Sequence, residues 1–351
     1  MVNLPELIIL NVGHGNCALL RDTRAVTVID CGHDGLVLTE TLEQLGIDAI
    51  NHVIISHADR DHSGGLMELL EKFPTHHLYL NADASKKSKT WQDIALALDV
   101  AESSGTEIHI GLTSQFSKKI ISGEVEIEIL APSTSLVAIG PGGMYPGGHA
   151  LDSNTMSIVI GLVHKSRRVA LLPGDMDEFS LNSLLRKHQS IEAKVLVFPH
   201  HGGSSGGVDD QAFAQKLCGL VKPDLVVFSL HRSLYDNPRE EIVQGVVSAR
   251  LTAHIMCTQL SRKCALAPFA LDMSHLTDLP PQGDSNSSCC GGTIRIHIDG
   301  EQTTYEPSFD LHHQFVESLS ENLIEYVPLE GQHEPQRPAG PLCLRYLACL
   351  T

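Results

Sequence analysis

The chain has 351 residues, of which 42% are hydrophobic, enough to bury a large core. Its 25 basic and 42 acidic residues leave a formal net charge of −17, which argues against a broad nucleic-acid-binding surface. No apolar run approaches the ~20 residues needed to cross a bilayer, and the N-terminus does not resemble a secretion signal. Nine scattered cysteines, an odd number, are typical of a reducing compartment. We therefore expect a cytoplasmic protein that does not bind a membrane.

Positively charged residues cluster locally in three places, at Lys86–Lys89, Lys118–Lys119 and Lys165–Arg168. Solvated loop charges are the favoured interpretation of each cluster. The acidic balance of the whole chain still leaves phosphodiester chemistry open for short or single-stranded substrates.

Hydrophobic periodicity predicts strands that alternate with helices. The first predicted elements are strands at Leu7–Val12, Cys17–Leu20 and Val26–Ile29, a helix at Leu36–Leu45, strands at Val53–Ile55 and Leu78–Leu80, and a helix at Trp91–Ser103. The next are strands at Glu124–Leu130, Ser157–Val163 and Val169–Leu172, a helix at Glu178–Lys187, strands at Val195–Phe198 and Asp224–Ser229, and a helix at Pro238–Arg250. Two sheets packed face to face with helices outside would account for this order, so we expect an α/β fold (α+β by some schemes).

The motifs run from residue 11 to beyond residue 200, so we expect one large domain over residues 1–304. An irregular, polar insertion at about residues 263–290 interrupts it before a final strand, Thr293–Ile298. Residues 305–351 are expected to form a C-terminal helix, Leu311–Leu323, and a tail.

The most informative segment is His-Ala-Asp-Arg-Asp-His at residues 57–62. It places four metal-capable side chains within six positions, directly after the apolar strand Val53–Ile55. Borderline and hard divalent cations bind this mixture of imidazole and carboxylate. The two glycines that follow let the backbone pass close to a bound group. The alternative, a polar strand-to-helix turn, is disfavoured because the surrounding sequence fits a metal site.

This segment resembles the His-x-[His/Asp]-x-Asp-His signature of the metallo-β-lactamase fold, in the branch with Asp at the third position. Other segments resemble, in the same order, the soluble hydrolase domain of ComEC-type DNA-uptake proteins. They are Leu10–Ala18, Val28–Gly32, Asn154–Ile160, Leu171–Asp175 and Val195–Ser204. The resemblance covers about residues 8–300 and implies a four-layer αβ/βα sandwich of two mixed sheets, without the membrane channel of ComEC proteins.

The resemblance also implies two divalent metal ions, held side by side. His57 and Asp59 would bind the first ion, and Asp61 and His62 the second. Asp59 stands where many relatives have histidine, and its harder oxygen ligand makes manganese as plausible as zinc.

Asp175 would bridge the two ions, and His200 or His201 would complete the second site. Asp30 would orient a ligand histidine by a hydrogen bond, or else it is a turn residue at a strand end. Asp61 and Asp175 are the candidate catalytic residues, because two ions would activate a water that Asp61 orients or deprotonates.

The third ligand of the first ion stays open. The glycine-rich segment Ile139–Ser153 reads as an irregular loop over the active-site mouth, or as a surface linker. His149 near its end competes for the ligand position with Asp152 and Asn154, and the resemblance favours Asn154 as the local marker.

Two later segments bear on the substrate. ComEC-type proteins carry a His-Pro pair where this chain has Asn237-Pro238, so Asn237 keeps a hydrogen-bonding group but supplies no general acid or metal ligand. The turn Gly202–Gly206 could present backbone N–H groups to a phosphate, or be a flexible loop.

Four distal cysteines bracket the insertion and could hold a structural zinc ion that pins it to the core. They are Cys257, Cys264, Cys289 and Cys290. Unrelated buried thiols are the alternative, because adjacent cysteines are not an ideal ligand spacing.

The sequence therefore predicts a metal-dependent hydrolase, foremost a phosphodiesterase or nuclease on nucleic acid or a nucleotide. Hydrolysis of a thioester, lactone or lactam uses the same fold and metals, and fold does not choose between them. The third hypothesis is a partner-activated effector subunit of a bacterial multi-protein system, which would require a protein partner.

Overall fold

Two mixed β-sheets packed face to face occupy the middle of the molecule, and helices cover the outer face of each sheet. The computed structural model describes residues 4–22, 24–265, 271–279, 288–299, 302–322 and 340–345. Its layers have the predicted αβ/βα order, which confirms the expected α/β sandwich.

In chain order the strands are β1 (Glu6–Ile9), β2 (Cys17–Arg21), β3 (Val26–Cys31), β4 (Ile50–Ile54), β5 (Thr75–Leu80), β6 (Glu107–Ile110), β7 (Ile120–Ser122), β8 (Val125–Ala131), β9 (Met144–Tyr145), β10 (His149–Ala150), β11 (Val159–His164), β12 (Arg167–Leu172), β13 (Val195–Val197), β14 (Leu225–Phe228), β15 (His254–Cys257), β16 (Ile294–Asp299) and β17 (Gln302–Glu306). The helices are α1 (Leu36–Gln44), α2 (Arg60–Ser63), α3 (Leu66–Lys72), α4 (Lys89–Ser103), α5 (Thr134–Ile139), α6 (Glu178–Leu185), α7 (Asp210–Val221), α8 (Glu240–Ala249), α9 (Phe309–Asn322) and α10 (Leu342–Arg345), with one 3₁₀ turn at Pro199–Gly202.

Each sheet is half antiparallel and half parallel. The first has the order β17-β16-β1-β2-β3-β4-β5-β6 and becomes parallel from β3 onward. The second has the order β15-β14-β13-β12-β11-β8-β7 and is parallel from β12 to β15. Strands such as β13 and β14 are wholly apolar because both of their faces are covered. The carboxyl ends of the parallel strands meet at one edge, where the predicted site residues lie.

Most predicted elements are confirmed to within a few residues. The segment Ile139–Ser153, expected to be irregular, contains the short hairpin of β9 and β10. Several elements were not predicted, among them helix α7 and strand β15. Helix α7 was missed although its buried residues recur at helical spacing, whereas the short strand β15 is largely buried and carries little polar alternation.

The expected boundary at residue 304 falls inside strand β17, which pairs with β16. Helix α9 packs Phe315, Val316 and Leu319 into the same core as α7 and α8, so it continues the sandwich. Residues 266–270 and 280–287 of the expected insertion, and 323–339 and 346–351 of the expected tail, lie outside the described residues. Within the described part of the chain, no helix has both the length and the apolar character needed to cross a membrane.

Candidate metal centre

The signature segment lies directly after β4, in the turn that leads into helix α2. Asp59 precedes this helix in an extended conformation, but its side chain makes no capping hydrogen bond. Gly64 and Gly65 follow the helix where other chain segments approach closely. A Cβ atom at Gly64 would lie 2.1 Å from the His33 carbonyl oxygen, and one at Gly65 would lie 2.4 Å from that of Cys31. Both positions therefore require glycine, as the pattern predicts.

Four side chains from three separate loops converge at the end of the parallel strands. Each offers one ligand atom, and these atoms all lie within 4.8 Å of one another: Asp61, His62, Asp175 and His201. Asp61 Oδ2 is 3.2 Å from His201 Nε2, and His62 Nε2 is 3.3 Å from Asp175 Oδ1. This is the set that the resemblance implies for the second ion, with His201 as its final histidine.

The residues expected around the first ion stand on the other side of Asp175. Asp175 Oδ2 lies 3.9 Å from His57 Nε2 and 3.7 Å from His200 Nδ1. His57 Nε2 is also 4.0 Å from Asp59 Oδ1. The two oxygens of Asp175 thus face two groups of donors, an arrangement that suits a bridging carboxylate.

Hydrogen bonds at the Nδ1 atoms orient the imidazoles. His62 Nδ1 lies 2.8 Å from Asp30 Oδ2, and His201 Nδ1 lies 2.8 Å from the carbonyl oxygen of Ser229. Because both partners are acceptors, the Nδ1 atoms are the donors, and the Nε2 atoms of both rings point toward Asp61 and Asp175. His57 Nδ1 similarly contacts Ser56 Oγ, which donates its own proton to Asp30. Asp30 therefore organises two histidines at once.

Several of the inward-facing nitrogens are buried without a hydrogen-bond partner among the described residues: His57 Nε2, His62 Nε2 and His200 Nε2. An unpartnered buried polar atom costs about 1–3 kcal/mol, so native structures rarely contain a group of them. Divalent cations would supply the missing partner, because neutral imidazole and carboxylate are their preferred ligands. The residues present therefore fit the metal ions that the fold implies.

The local electrostatics keep the two carboxylates ionised. Burial raises the pKa of Asp175, but His62, His201 and His200 outweigh it and hold this pKa well below its usual value. Hydrogen bonds from His14 and His201 likewise lower the pKa of Asp61 against the effect of burial. Burial, together with the neighbouring His62, lowers the pKa of His57 to about 4, so His57 is neutral and able to bind a cation.

The backbone is strained where it delivers the last histidines. His200 and His201 are consecutive residues with φ of 53° and 55°, in the left-handed region that residues with side chains avoid. Each such residue costs about 1–2 kcal/mol, and such strain clusters at functional sites. The amide of His200 donates to Asp175 Oδ1 at 3.2 Å, which ties the strained turn to the expected bridging residue.

A family model described as the metallo-beta-lactamase superfamily matches residues 10–160, less than half of the chain. The match covers the signature segment, and the two mixed sheets have the layer order of that fold. The chain has the metallo-β-lactamase fold.

Solved structures similar to the chain include YhfI of Bacillus subtilis, with 13% identity over 72% of this chain and 96% of that one, and a TM-score of 0.43. Igni18, a metallo hydrolase of Ignicoccus hospitalis, has 15% identity over 72% and 94%, with a TM-score of 0.41. A diphosphatase of the PhnP family has 13% identity over 72% and 94%, also with a TM-score of 0.41. No curated protein matches the chain at a significant level. At these identities and TM-scores, the likeness to the three structures does not indicate which reaction this chain catalyses.

Within this metallo-β-lactamase fold, the three residues considered for the remaining ligand position have different surroundings. His149 stacks on Phe179 with ring centroids 3.9 Å apart, and its side chain is 41% exposed. Asp152 uses Oδ1 to accept two hydrogen bonds from Thr155. Asn154 Oδ1 and His149 Nε2 are both buried without a hydrogen-bond partner among the described residues. Both residues therefore remain candidates for a ligand or a positioning role.

Sequence reasoning missed His14, which lies in the turn between β1 and β2. Its Nε2 atom is 3.1 Å from Asp61 Oδ2, and its ring packs against those of His201 and Tyr235 at 4.4 and 4.5 Å. The available signal was its place in the segment Leu10–Ala18, where ComEC-type proteins have glutamine. A histidine at this position of the fold brings a further imidazole to the site.

A cleft of about 700 Å³ opens over Asp61 and Asp175. No aliphatic side chain of the described residues lines it, and its walls include His14, Tyr235, Asn237, Arg239 and Lys263. Asn237 is buried at this wall, where the resemblance places it. The Gly202–Gly206 turn uses its Gly203 and Ser205 amides in hydrogen bonds to His200 and Asp210, so these two are not available to a phosphate.

The four distal cysteines do not share one environment, because Cys257, Cys264 and Cys290 belong to one buried cluster and Cys289 does not. The Cys289 thiol accepts a hydrogen bond from Asn11 at 3.3 Å. Cys290 instead lies beside Cys257, and its sulfur is 3.2 Å from His312 Nε2. Among the residues that the structure describes, no group of three or more ligand atoms within 4.8 Å contains a cysteine. The structural zinc therefore stays a prediction that a metal count must decide.

Proposed function

We propose that the chain is a metal-dependent hydrolase with a binuclear site, and that it acts as a phosphodiesterase or nuclease on nucleic acid or a nucleotide. One observation carries this proposal. Three buried imidazoles, those of His57, His62 and His201, turn their Nε2 atoms toward the ionised carboxylates of Asp61 and Asp175. The Nε2 atoms of His57 and His62 are buried without a hydrogen-bond partner among the described residues, whereas a purely structural cluster would have paired them.

The residues divide into two sets. His57, Asp59 and the Oδ2 side of Asp175 would hold one ion, with His200 or Asn154 as a further ligand. The four converging residues described above would hold the other. When bound, two zinc or manganese ions would lower the pKa of water and stabilise negative charge on the attacked phosphorus or carbonyl centre.

The protein's own groups orient the reactants. Asp61 and Asp175 both line the cleft, so either carboxylate can accept a hydrogen bond from an attacking water. His14 and His201 fix the position of Asp61 through its Oδ2 atom. Fixing this carboxylate before the substrate arrives removes an entropic cost from the reaction.

The cleft lining favours a polar, anionic substrate over an acyl one. A lactone or thioester with an alkyl chain would bury that chain against aliphatic side chains, and the described part of this cleft has none. Arg239 and Lys263 stand at the cleft wall, paired with Asp210 and Asp236, and phosphate oxygens could compete with these carboxylates for the two cations. Because Asp236, Glu240 and Glu241 stand there too, the wall suits a short phosphodiester better than a long duplex.

The experiment measures the turnover of two substrates by the chain with zinc or manganese added. The substrates are bis-p-nitrophenyl phosphate and a butyryl thioester. We expect turnover of the phosphodiester, reduced at least 100-fold in Asp61→Asn because the carboxylate is lost from the site. Asp48→Asn, which removes an exposed carboxylate that does not line the cleft, is the matched control and should keep most of the activity.

Other outcomes would redirect the proposal. Preferential hydrolysis of the thioester would overturn the phosphodiesterase assignment while keeping the hydrolase. Bound metal without turnover of either substrate would favour the partner-activated effector subunit, and the acidic charge of −17 is compatible with a basic protein partner.

A further inference from the structure

A second group of metal-capable side chains lies on the edge of the first sheet, away from the cleft. His77 of β5 is paired with Glu107 of β6, and Tyr79 is paired with His109 on the same two strands. These side chains share the sheet face that packs toward the second sheet, because Tyr79 belongs to the core between the sheets. Strand β6 is the edge strand of its sheet.

The two imidazole nitrogens and the Glu107 carboxylate form a triangle of close contacts, in which each nitrogen faces a different carboxylate oxygen. His77 Nδ1 is 3.3 Å from Glu107 Oε2, His109 Nε2 is 3.4 Å from Glu107 Oε1, and the two nitrogens are 3.5 Å apart. Ligand atoms about 2.0–2.1 Å from a tetrahedral zinc ion stand about 3.4 Å from one another. The distance between the two nitrogens therefore matches one edge of a tetrahedral coordination shell, and the Glu107 carboxylate lies beside both of them.

Packing holds both imidazoles in place. The ring of His109 stacks on Tyr79 with centroids 4.4 Å apart, and its side chain is only 11% exposed. The ring of His77 stacks on that of His52, 5.2 Å away. His52 in turn contacts the carbonyl oxygen of Ile121 in β7, so it connects the two sheets at this edge. Ligands fixed in this way bind a metal without a large ordering cost.

The charges around the triangle are also compatible with a cation. Burial lowers the pKa of His109, which keeps its imidazole neutral and able to donate a lone pair. Lys118 lies 3.0 Å from Glu107 Oε1 and would have to move or share the carboxylate. Since Lys118 is an exposed side chain, its displacement costs little.

We propose that His77, Glu107 and His109 form a peripheral site for one zinc-class divalent cation. Because the Glu107 side chain is 53% exposed, water or an exogenous donor could complete the coordination shell. A cation there links β5 to the edge strand β6, so it closes the sandwich edge rather than serving the hydrolytic reaction. Two histidines and a carboxylate select a borderline transition metal over magnesium or calcium.

The first test counts zinc in the full chain by equilibrium dialysis and elemental analysis. The parent should bind one more zinc ion per chain than His109→Gln, while the hydrolysis of bis-p-nitrophenyl phosphate is unchanged. His313→Gln, which disrupts a single surface His–Glu pair with Glu317, is the matched control and should bind as much zinc as the parent. An equal zinc count in parent and His109→Gln would overturn the proposal.

The second test needs no variant and therefore does not depend on the folding of one. Zinc should protect His77 and His109 of the parent chain from carbethoxylation by diethyl pyrocarbonate, mapped by peptide mass spectrometry. Modification of His77 at the same rate with and without zinc would also overturn the proposal. The peripheral and central sites can be tested separately. Even if the chain proves inactive as a hydrolase, His109→Gln should bind one zinc ion fewer than the parent.

Discussion

Lys86 Nζ lies 2.6 Å from Asp59 Oδ1, so this lysine forms an ion pair with the carboxylate that is expected to bind the first metal ion. The turn that carries Lys86 is well ordered by Asp83, whose Oδ1 accepts from the amides of Ser85 and Lys86. Asp59 is correspondingly absent from the group of four converging ligands. The two metal sites therefore differ. The ligands expected for the second ion already lie together, whereas Asp59 of the first site is held in an ion pair with Lys86.

Replacing Lys86 should make it easier for a metal ion to bind at the first site. We expect Lys86→Met to raise the affinity for the weaker ion roughly five- to tenfold, which corresponds to about 1 kcal/mol for losing a partly exposed ion pair. Isothermal titration with manganese or zinc measures this. Lys87→Met changes a neighbouring exposed lysine and should leave both affinities as they are. An unchanged weaker affinity in Lys86→Met would show that the ion pair does not compete with metal.

Asp30 should control metal affinity without touching the metal. Its carboxylate accepts from the amide and hydroxyl of Ser56 and from His62. Asp30→Asn replaces an acceptor with a donor, so we expect a 10–100-fold loss of metal affinity in the same titration. The backbone should tolerate the change, because asparagine also adopts the φ of 57° found at Asp30. Asp48→Asn, at an exposed position, is the control, and equal losses in both variants would argue against an orienting role.

His14 should matter through its hydrogen bond to Asp61. Losing a hydrogen bond to a charged group costs about 1.5–3 kcal/mol, so His14→Ala should lower kcat/KM for bis-p-nitrophenyl phosphate roughly 10–100-fold. Glutamine can donate a similar hydrogen bond, and we expect His14→Gln to stay within about threefold of the parent. If glutamine and alanine were equally damaging, the imidazole itself would be needed and the positioning role would be wrong.

The stability of the metal-free chain should fall in acid through His254. Burial and the nearby His312 lower the pKa of this histidine from 6.5 to about 3. As the pH falls from about 6.5 toward 3, the unfolded chain takes up a proton that the folded chain does not, so folding loses free energy. One such group contributes at most about 1.4 kcal/mol per pH unit.

Urea unfolding of the metal-free chain between pH 7 and 4 checks this. His254→Gln should flatten the dependence of the free energy of unfolding on pH, whereas His33→Gln, which removes a surface histidine, should not. Parallel pH dependences for the parent and His254→Gln would contradict the assignment.

The sequence was informative where a ligand type and a local spacing coincide. Residues 57–62 and Asp175 could be placed in one site because their segments resemble those of metallo-β-lactamase-fold hydrolases, and each segment follows a predicted strand. His14 and Lys86 could not be placed, because their approach to Asp61 and Asp59 depends on how loops far apart in sequence fold together. The triangle of His77, Glu107 and His109 escaped for the same reason, since strand register decides which of many histidines are neighbours.

The most direct test of a binuclear centre is the number of metal ions bound at saturation by His109→Gln, in which the proposed peripheral site does not contribute. Equilibrium dialysis against zinc or manganese, followed by elemental analysis, should give about two ions per chain, falling to one or fewer when Asp175→Ala is added. A chain that binds no divalent metal, or one whose count does not respond to Asp175→Ala, would contradict the account.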